Sequence, residues 1–456
     1  RPPVYAEGSV TIRRAAQTMT DNHASAILVR DGDNLSILTD SVLRSRVVAG
    51  GLSPENPVSR IVEPAVQVAP DRIAVDAVVE MLDAGTDHLV VVDASRRVLG
   101  VLSSTDLAGL ETRSPFALRH AVLGAGDEDE LVRVAQRLQP LFLALLDASL
   151  APADIGRVLS LQVDSFTARL IDFAIERRGQ APAAWSWLAL GSTARREFTL
   201  GSDLENALAY APPDDPEVEA YFAVFAADVN RGLERCGFTL DPNQVVASNP
   251  LWRMPEERWV DVFRSCLDSP DRSHLIRANV AFDFRQTAGG LEATPPLVAV
   301  LRGAQNRPDF LRRLARTATD FKPPLGFRRS LVLDRSNGGA RGVDLKKGGV
   351  IPIANLARFL ALSNGVTISS TIDRLTVVEE AGALEAETAS ALREAFQIVA
   401  RVRLDHHASQ LEAGVEPDNV VDPAWLSRLT RAHLRDAFRA VADAQKKLSV
   451  YVPLGL

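Results

Sequence analysis

Cysteine is nearly absent from this 456-residue chain, in which only Cys236 and Cys266 occur. The two lie far apart and outside any paired Cys or His motif, so neither a disulfide framework nor a zinc site is indicated. No apolar run approaches the roughly 18 residues that a membrane span requires. No secretory leader is seen either. These absences predict a cytoplasmic protein with no membrane partner.

A strong charge of one sign is also lacking. The formal net charge is -7, and lysine is scarce beside abundant arginine. Without a basic field, sequence-independent binding to nucleic acid or to an anionic membrane is disfavoured. The length predicts two to four domains, at roughly 100–200 residues each. Because the sequence starts at Arg1 without a methionine, we expect the native protein to continue upstream.

The first part of the chain contains a weak internal repeat. TIRRAAQTMTDNHASAILV, residues 11–29, aligns with AVDAVVEMLDAGTDHLVVV, residues 74–92. Each segment predicts a short amphipathic helix and a buried strand, and each continues into a second strand and a helix. Units this small cannot each bury a full core, so we expect the two repeats to pack on one another.

This pattern resembles a tandem pair of CBS domains, a module that binds adenine nucleotides in a cleft between its repeats. In that family a strand ends in Gly and in Thr or Ser, and an Asp three residues later contacts a ribose. The second repeat retains Gly100, Ser103 and Asp106, whereas the first has Thr39 but Val42 at the aspartate position. The resemblance implies an AMP- or ATP-type regulatory ligand and a homodimer formed through the pair. A simple helix cap explains Ser103 and Asp106 equally well.

The apolar period becomes helical beyond the repeats. Two apolar stripes, at residues 131–145 and 155–173, predict connecting helices. WSWLAL, residues 185–190, then predicts a buried strand. After Gly290 the pattern is helical again and predicts a C-terminal antiparallel bundle.

The next stretch, GSTARREFTLGSDLENALAY, indicates the chemistry of the chain. Gly191 and Ser192 follow the predicted strand, where a missing Cβ lets a phosphate approach backbone amides and the hydroxyl adds a donor. A second strand is predicted to begin near Ser202, which places Asp203 and Glu205 on one face. Two carboxylates on one face repel unless a cation lies between them, and Mg²⁺ (or Mn²⁺) is the natural candidate. Taken alone, Asp-x-Glu in a strand is more typical of a solvated edge.

The arrangement resembles the nucleotidyltransferase superfamily of DNA polymerase β, in which Gly-Ser and Asp-x-Asp/Glu are followed by a third carboxylate on a later strand. ANVAFDFRQTAG, residues 278–289, predicts such a strand and offers Asp283. The resemblance implies that Asp203, Glu205 and Asp283 are catalytic metal ligands that align an NTP substrate for displacement of pyrophosphate.

Two arginines are the nearest cations for the phosphates of such a nucleotide. They are Arg195, just after the Gly-Ser turn, and Arg285, two residues beyond the third carboxylate. Arginines paired with neighbours such as Glu197 are a nearly equal alternative. Lys346 and Lys347, beside Gly348 and Gly349, could also place ammonium groups near a triphosphate. An exposed turn explains the two lysines equally well.

The whole chain resembles bacterial proteins that carry a CBS pair before a nucleotidyltransferase domain and that are related to the uridylyltransferase of the PII signal protein. Four further stretches share this resemblance: VVASNPLWRMPEERW, GVDLKKGGVIPIANLARFLAL, TIDRL and PDNVVDPAWLS. It implies an α+β multidomain fold with four parts. These are a tandem CBS regulatory module at 1–112, a helical connecting region at 113–180, a polymerase-β-like α/β nucleotidyltransferase domain at 181–290, and a C-terminal helical bundle at 291–456.

Two hypotheses for the function follow. The first is an enzyme that moves an NMP group from an NTP to a protein or small-molecule acceptor under regulation by CBS ligands. The second is a catalytically silent nucleotide-sensing or scaffolding protein. The three carboxylates favour the enzyme, whereas Ala194, where relatives often have glycine, favours the silent protein. Nucleic-acid polymerisation and tRNA end repair are disfavoured because the chain lacks a basic stripe.

Overall fold

The structure is a computed structural model. It describes residues 2–31, 34–70, 74–107, 114–212, 215–269, 280–325, 334–335 and 341–451. The chain divides into two compact units, Arg1–Phe116 and Ala117–Leu456. Within the described ranges, no helix has both the length and the apolar character needed to cross a membrane.

Two small sheets organise the first unit. One sheet consists of β1 (Tyr5–Glu7), β2 (Ala26–Asp31), β3 (Asn34–Thr39) and β4 (Glu63–Pro64), in the spatial order β1-β2-β3-β4. The other consists of β5 (Gln67–Val68), β6 (His88–Val92) and β7 (Val98–Ser103), in the order β5-β6-β7. The helices are Ile12–Asp21, Asp40–Val42, Ala74–Ala84 and Ser104–Leu107, with a π-helix at Leu43–Ala49 and a 3-10 helix at Val58–Arg60.

The two halves of this unit repeat one topology. In each sheet the first strand is parallel to the second, and the second is antiparallel to the third. A helix connects the first two strands in both halves, Ile12–Asp21 in one and Ala74–Ala84 in the other. The repeat predicted from the sequence is therefore confirmed. Its halves share one apolar cluster, which includes Leu28 and Ile37 from the first half and Val90 and Val101 from the second.

The second unit contains a mixed sheet surrounded by helices. Its strands are β8 (Trp185–Leu190), β9 (Asn206–Tyr210), β10 (Arg253–Pro255) and β11 (Phe284–Ala288), in the order β10-β9-β8-β11. A smaller sheet has the order β12-β13-β14 and consists of β12 (Asp334–Arg335), β13 (Arg341–Asp344) and β14 (Val420–Val421). The predicted strand at 185–190 is thus present as β8, antiparallel to both β9 and β11.

Most residues of the second unit are helical. The helices are Pro115–Gly124, which begins in the first unit, Glu128–Ala135, Leu138–Asp147, Pro152–Arg178, Gly191–Ala194, Pro216–Arg235, Glu256–Asp268, Thr294–Arg302, Pro308–Asp320, Ile351–Ser363, Thr371–Glu380, Ala386–Glu412 and Arg428–Tyr451. Short 3-10 helices lie at Pro250–Trp252, Gly303–Asn306 and Pro423–Trp425, and a π-helix at Lys346–Val350. The α+β multidomain fold class expected from the sequence is confirmed.

One hydrophobic core joins the mixed sheet to the C-terminal helices. Leu190 of β8 and Phe284 of β11 belong to the same cluster as Ile353, Val399 and Phe438 from three of those helices. The sheet and the bundle therefore fold as one body, which fixes side chains from distant parts of the sequence beside the end of β8. The domain boundaries at 180/181 and 290/291 stay predictions, and the one at 112/113 lies outside the described residues.

Two predicted strand limits are wrong. The strand expected near Ser202 begins at Asn206, because Leu204 instead forms an isolated parallel bridge with Leu240. The strand expected over residues 278–289 is β11 alone, and residues 278–279 are outside the described ranges. Asp283 lies in a bend before β11, where its amide donates to the carbonyl of Val280. The candidate carboxylates therefore lie just before the first residues of β9 and β11.

Candidate functional site

A tight turn follows β8 and begins the candidate site. Gly191 has a φ of +53°, a conformation that favours glycine. Its amide donates to the carbonyl of Asp283 at 3.0 Å. A Cβ on Gly191 would clash with the Oε2 atom of Glu205. The glycine is therefore needed so that the turn can pack directly on this carboxylate, while Ser192 is partly exposed at the second position of the short helix.

Asp203 and Glu205 lie on either side of buried Leu204. The carbonyl of Glu205 accepts from the amide of Leu190 at 3.0 Å, which places the acidic pair against the end of β8. The side chain of Asp203 is about one-third exposed, and its Oδ2 is 3.0 Å from Nζ of Lys346. The structure thus brings the two predicted ligands to the Gly-Ser turn, with an ammonium group beside them.

Glu205 has an unusual environment for a carboxylate. Its Oε2 is buried and has no hydrogen-bond partner among the described residues. Burial raises the pKa of Glu205 to about 7. Arg195 and Lys346 act to lower this pKa, whereas Asp241 and Asp203 act to raise it. A buried oxygen without a partner is costly, so this atom is suited to a cation or another donor.

Asp283 does not join this pair. It is completely buried, and three guanidinium groups bind its oxygens: Arg195 at 2.7 Å, Arg358 at 2.5 Å and Arg374 at 2.7 Å. Burial alone would raise the pKa of Asp283, but Arg358, Arg374 and Arg195 hold it well below its ordinary value. In the described ranges, no group of three or more His, Cys, Asp or Glu side chains is arranged to hold a metal ion. The structure therefore places the predicted third metal ligand among arginines, which bind its oxygens.

Arg195 and Arg285 are held by carboxylates rather than directed at an open site. Arg195 Nε donates to Glu197 Oε2 at 2.7 Å, in addition to its contact with Asp283. Burial acts to lower the pKa of Arg195, but Glu197 and Asp283 raise it above its ordinary value. Arg285 binds both oxygens of Asp164, at 2.8 and 3.1 Å. Both arginines thus adopt the alternative considered in the sequence analysis, pairing with nearby acids.

Three further arginines near the site were not singled out from the sequence. Arg358 and Arg374 bind Asp283, and Arg403 donates to Asn419 at 2.6 Å and to the carbonyl of Gly201 at 3.3 Å. Burial lowers the pKa of Arg403 to about 10. A sequence signal existed for Arg358, because it is the only charged residue in the apolar helix Ile351–Ser363. A buried charge requires a partner, so such an arginine predicts a distant carboxylate.

The acidic pair offers the donor types that one magnesium ion bound together with a nucleotide would need. Mg²⁺ is commonly bound through one or two carboxylates plus substrate phosphates, without a cage made entirely by the protein. Asp203 and Glu205 offer hard oxygen donors, one of which lacks a partner. They would hold the ion, whereas Asp283 would not. The residues present therefore fit a single-ion site and not a three-carboxylate centre.

The predicted ribose contacts of the first unit are bonded to each other. Asp106 Oδ2 accepts from the amide of Ser103 at 2.9 Å and from its hydroxyl at 2.7 Å. The carboxylate of Asp106 thus caps the amide of Ser103, the residue just before the helix Ser104–Leu107. The hydroxyl and the carboxylate lie side by side, which is also what a ribose diol would require. Nucleotide binding at this position stays a prediction.

Three protein-family models match the chain. “CBS domain” matches residues 58–111, “Putative nucleotidyltransferase DUF294” matches 136–273, and “Putative nucleotidyltransferase substrate binding domain” matches 308–451. The chain belongs to a family of CBS-containing “putative nucleotidyltransferases”. Gly191, Asp203 and Glu205 lie within the residues matched by the nucleotidyltransferase model, and Lys346, Arg358 and Arg374 lie within those matched by the substrate binding model. Asp283 lies between the two matched ranges.

The solved structures similar to the chain include CBS proteins. A CBS domain protein from Pyrobaculum aerophilum, complexed with AMP, is 25% identical over 24% of this chain and 86% of its own, with a TM-score of 0.23. A “putative signal-transduction protein with CBS domains” from Burkholderia ambifaria is 24% identical over 24% of this chain and 79% of its own, with a TM-score of 0.22. No curated protein matches the chain significantly.

Proposed function

We propose that this family member transfers a nucleoside monophosphate group from an NTP to a protein or small-molecule acceptor, with Asp203 and Glu205 holding the Mg²⁺ of the incoming nucleotide. One observation supports the proposal above all others. The unpartnered Oε2 of Glu205 lies against the Gly-Ser turn, beside a second carboxylate. A cation there would offset both the repulsion of the pair and the cost of the buried oxygen.

Each residue of the site then has a definite role. Gly191 leaves room for Glu205, and Asp203 and Glu205 would hold the ion. The bound ion would offset charge on the transferred phosphoryl group and favour deprotonation of the acceptor. Asp283 does not contact the nucleotide. It keeps Arg195, Arg358 and Arg374 in place behind the Gly-Ser turn.

The first unit would regulate this reaction. We infer that an AMP- or ATP-type ligand binds at Ser103 and Asp106 and that the protein forms a homodimer through its CBS pair. A ligand that favours one state of the enzyme changes activity by the usual coupling of about 1–3 kcal/mol. Support comes from the CBS match at 58–111 and from the adjacent hydroxyl and carboxylate of Ser103 and Asp106.

A catalytically silent nucleotide sensor or scaffold is the second candidate. The observation that favours it is the binding of Asp283 by three arginines, since the resemblance to DNA polymerase β implies a catalytic ligand at that position. A protein of this kind would bind nucleotide at the acidic pair or at the CBS pair without transferring any group.

The test is a labelling experiment with the purified chain and with Asp203→Asn. Each protein is incubated with one α-labelled NTP at a time, beginning with UTP because of the resemblance to the PII uridylyltransferase, together with Mg²⁺ or Mn²⁺ and an extract of the source cell. Asp320→Asn is a matched control, because Asp320 is an exposed aspartate remote in sequence from the acidic pair. Label in protein or small molecules with the wild type and Asp320→Asn alone supports transfer. Label that persists in Asp203→Asn contradicts the site, and no label in any protein favours the silent sensor.

A further inference from the structure

Lys346 reaches the acidic pair from the C-terminal part of the second unit. Its Nζ lies 3.0 Å from Asp203 Oδ2, although the two residues are 143 positions apart in the chain. Both side chains are about one-third exposed, at 31% for Lys346 and 34% for Asp203. The contact is therefore open to solvent on one side. The ammonium group also acts to lower the pKa of Glu205, which indicates that it influences both carboxylates.

The backbone that presents Lys346 is firmly held. Asp344 Oδ1 accepts from the amides of Lys346 and Lys347, at 2.9 and 2.8 Å. The amide of Leu345 donates to the carbonyl of Asn419 at 2.8 Å. Gly349 packs so tightly that a Cβ would approach Val399 Cγ1 to 2.5 Å. Any movement of the ammonium group would consequently come from its flexible side chain, while the backbone stays fixed.

Three arginines near the pair are less free to move than Lys346. Arg195 bridges Glu197 and Asp283, and Arg285 is bound by both oxygens of Asp164. Arg403 is buried and donates to backbone and side-chain oxygens. Lys346 differs from these arginines because its charged end is partly exposed and is held at a carboxylate that a metal ion would need.

An ammonium group and a divalent cation exclude each other at the same carboxylate oxygen. Lysine has three donors and no lone pair when charged, so it cannot serve as a metal ligand beside Asp203. Like charges a few ångströms apart also repel. A phosphate, in contrast, is a suitable partner for the compact charge of lysine on its flexible stem. Arrival of a metal-bound triphosphate would thus remove one partner of Lys346 and provide another.

We propose that Lys346 is a place-holding cation, which neutralises Asp203 before nucleotide binds and moves to a phosphate of the metal–nucleoside triphosphate when that complex enters. This inference rests on the proposed function for the identity of the ligand. Lys346 then has opposite effects on the affinities for two ligands. The side chain weakens binding of the metal ion alone and strengthens binding of the metal with its nucleotide.

The test compares Lys346→Met with the wild type by Mn²⁺ electron paramagnetic resonance and by binding of each α-labelled NTP with Mn²⁺. Met keeps the length of the side chain and removes its charge. We expect Lys346→Met to bind Mn²⁺ alone roughly tenfold more tightly, because a nearby like charge is lost, and to bind the Mn²⁺–NTP complex roughly tenfold more weakly. Lys346→Arg should restore weak Mn²⁺ binding. Lys347→Met is the matched control, since Lys347 is exposed and the ion pair with Asp203 is formed by Lys346.

The inference is overturned if either of these two changes in affinity is absent. If Lys346→Met binds Mn²⁺ alone no more tightly than the wild type, Lys346 is not a place-holder. If it binds Mn²⁺–NTP as well as the wild type, Lys346 does not contact phosphate. Both shifts together with no label transfer by the wild type would leave the inference standing and reject the proposed enzyme. Equal shifts in Lys347→Met would show a general effect of surface charge and would also overturn the inference.

Discussion

The carboxylate of Asp283 accepts two hydrogen bonds from the guanidinium of Arg358, although the two residues lie 75 positions apart in the chain. Arg374 and Arg195 complete the surroundings of this carboxylate. Asp283 therefore links the bend before β11 to two C-terminal helices and to the Gly-Ser turn. Its chief role in this arrangement is to balance buried positive charge, and that role has direct consequences for stability.

Replacement of Asp283 should destabilise the second unit strongly. Asp283→Asn keeps the size of the side chain but leaves three arginines without their shared carboxylate. Breaking a buried ion pair in this manner typically costs about 3–5 kcal/mol. Urea unfolding of Asp283→Asn and of the wild type measures the difference. Asp203→Asn should unfold nearly as the wild type does, because Asp203 is partly exposed and, among the residues that the structure describes, forms one ion pair, with Lys346.

A metal-ligand role for Asp283 would give the opposite result. Asp283→Asn would then unfold like the wild type and lose affinity for Mn²⁺. If Asp283→Asn does not fold, Arg358→Lys provides a milder variant, because it keeps the charge and loses the two-point contact. We expect an intermediate loss of stability for Arg358→Lys. Wild-type stability in this variant would contradict the structural role of the pair.

The free energy of unfolding should depend on pH because Glu205 is buried. Its pKa in the folded protein is raised from 4.5 to about 7, so the folded state binds a proton more tightly than the unfolded state. The resulting stabilisation is fully present below pH 4.5 and is lost as the pH rises through 7. Glu205→Gln is always neutral and lacks this dependence. At pH 8 and without divalent metal, it should be more stable than the wild type by roughly 3 kcal/mol.

Unfolding at pH 4.5 and pH 8 in EDTA measures this difference. The two proteins should have similar stability at pH 4.5. Glu412→Gln is the control, because Glu412 is exposed and should keep the wild-type dependence. A Glu205→Gln variant whose stability follows the wild type at both pH values would show that Glu205 is not buried as described.

The parts of the site that could be predicted from the sequence are those whose residues lie close together in the chain. Gly191, Asp203 and Glu205 fall within one short stretch, and their spacing after an apolar strand predicts that they lie together. The start of β9 was misplaced because Leu204 pairs with Leu240 in a distant loop, a contact that alternation of side chains does not indicate. The CBS-like repeat was predictable for the same reason as the acidic pair, since each half has its own helical and strand periods.

The surroundings of Asp283 depend on contacts between distant parts of the chain. An Asp-Phe-Arg strand is equally compatible with a metal ligand and with an ion pair, and local spacing does not distinguish them. Arg358 and Arg374 decide between the two, but they come from helices more than 70 residues further on. The useful signal was the isolated charge of Arg358 in an apolar helix, which requires a carboxylate partner somewhere in the fold.

Adenine nucleotides should stabilise the first unit if the CBS pair binds them. Ligand at 100 times its Kd would add about 2.7 kcal/mol and raise the melting temperature of that unit. Asp106→Ala removes the carboxylate bonded to Ser103 and should abolish the rise with AMP or ATP. Asp93→Ala is the control, because it also loses hydrogen bonds, to the amides of Ser95 and Arg97, in the turn between β6 and β7. A rise that persists in Asp106→Ala would contradict the assigned position.

Gly191→Ala should weaken nucleotide binding at the candidate site in addition to destabilising the protein. A Cβ at this positive φ costs about 1–2 kcal/mol, and here it would also displace the Oε2 of Glu205. We therefore expect weaker Mn²⁺–NTP binding together with a lower melting temperature. Gly179→Ala also places a Cβ at a positive φ, +83°, but apart from its chain neighbours no heavy atom of the described residues lies within 4 Å of that Cβ. Gly179→Ala should therefore lose stability and keep its affinity for the nucleotide. If Gly191→Ala and Gly179→Ala bind the nucleotide equally well, Glu205 does not take part in nucleotide binding.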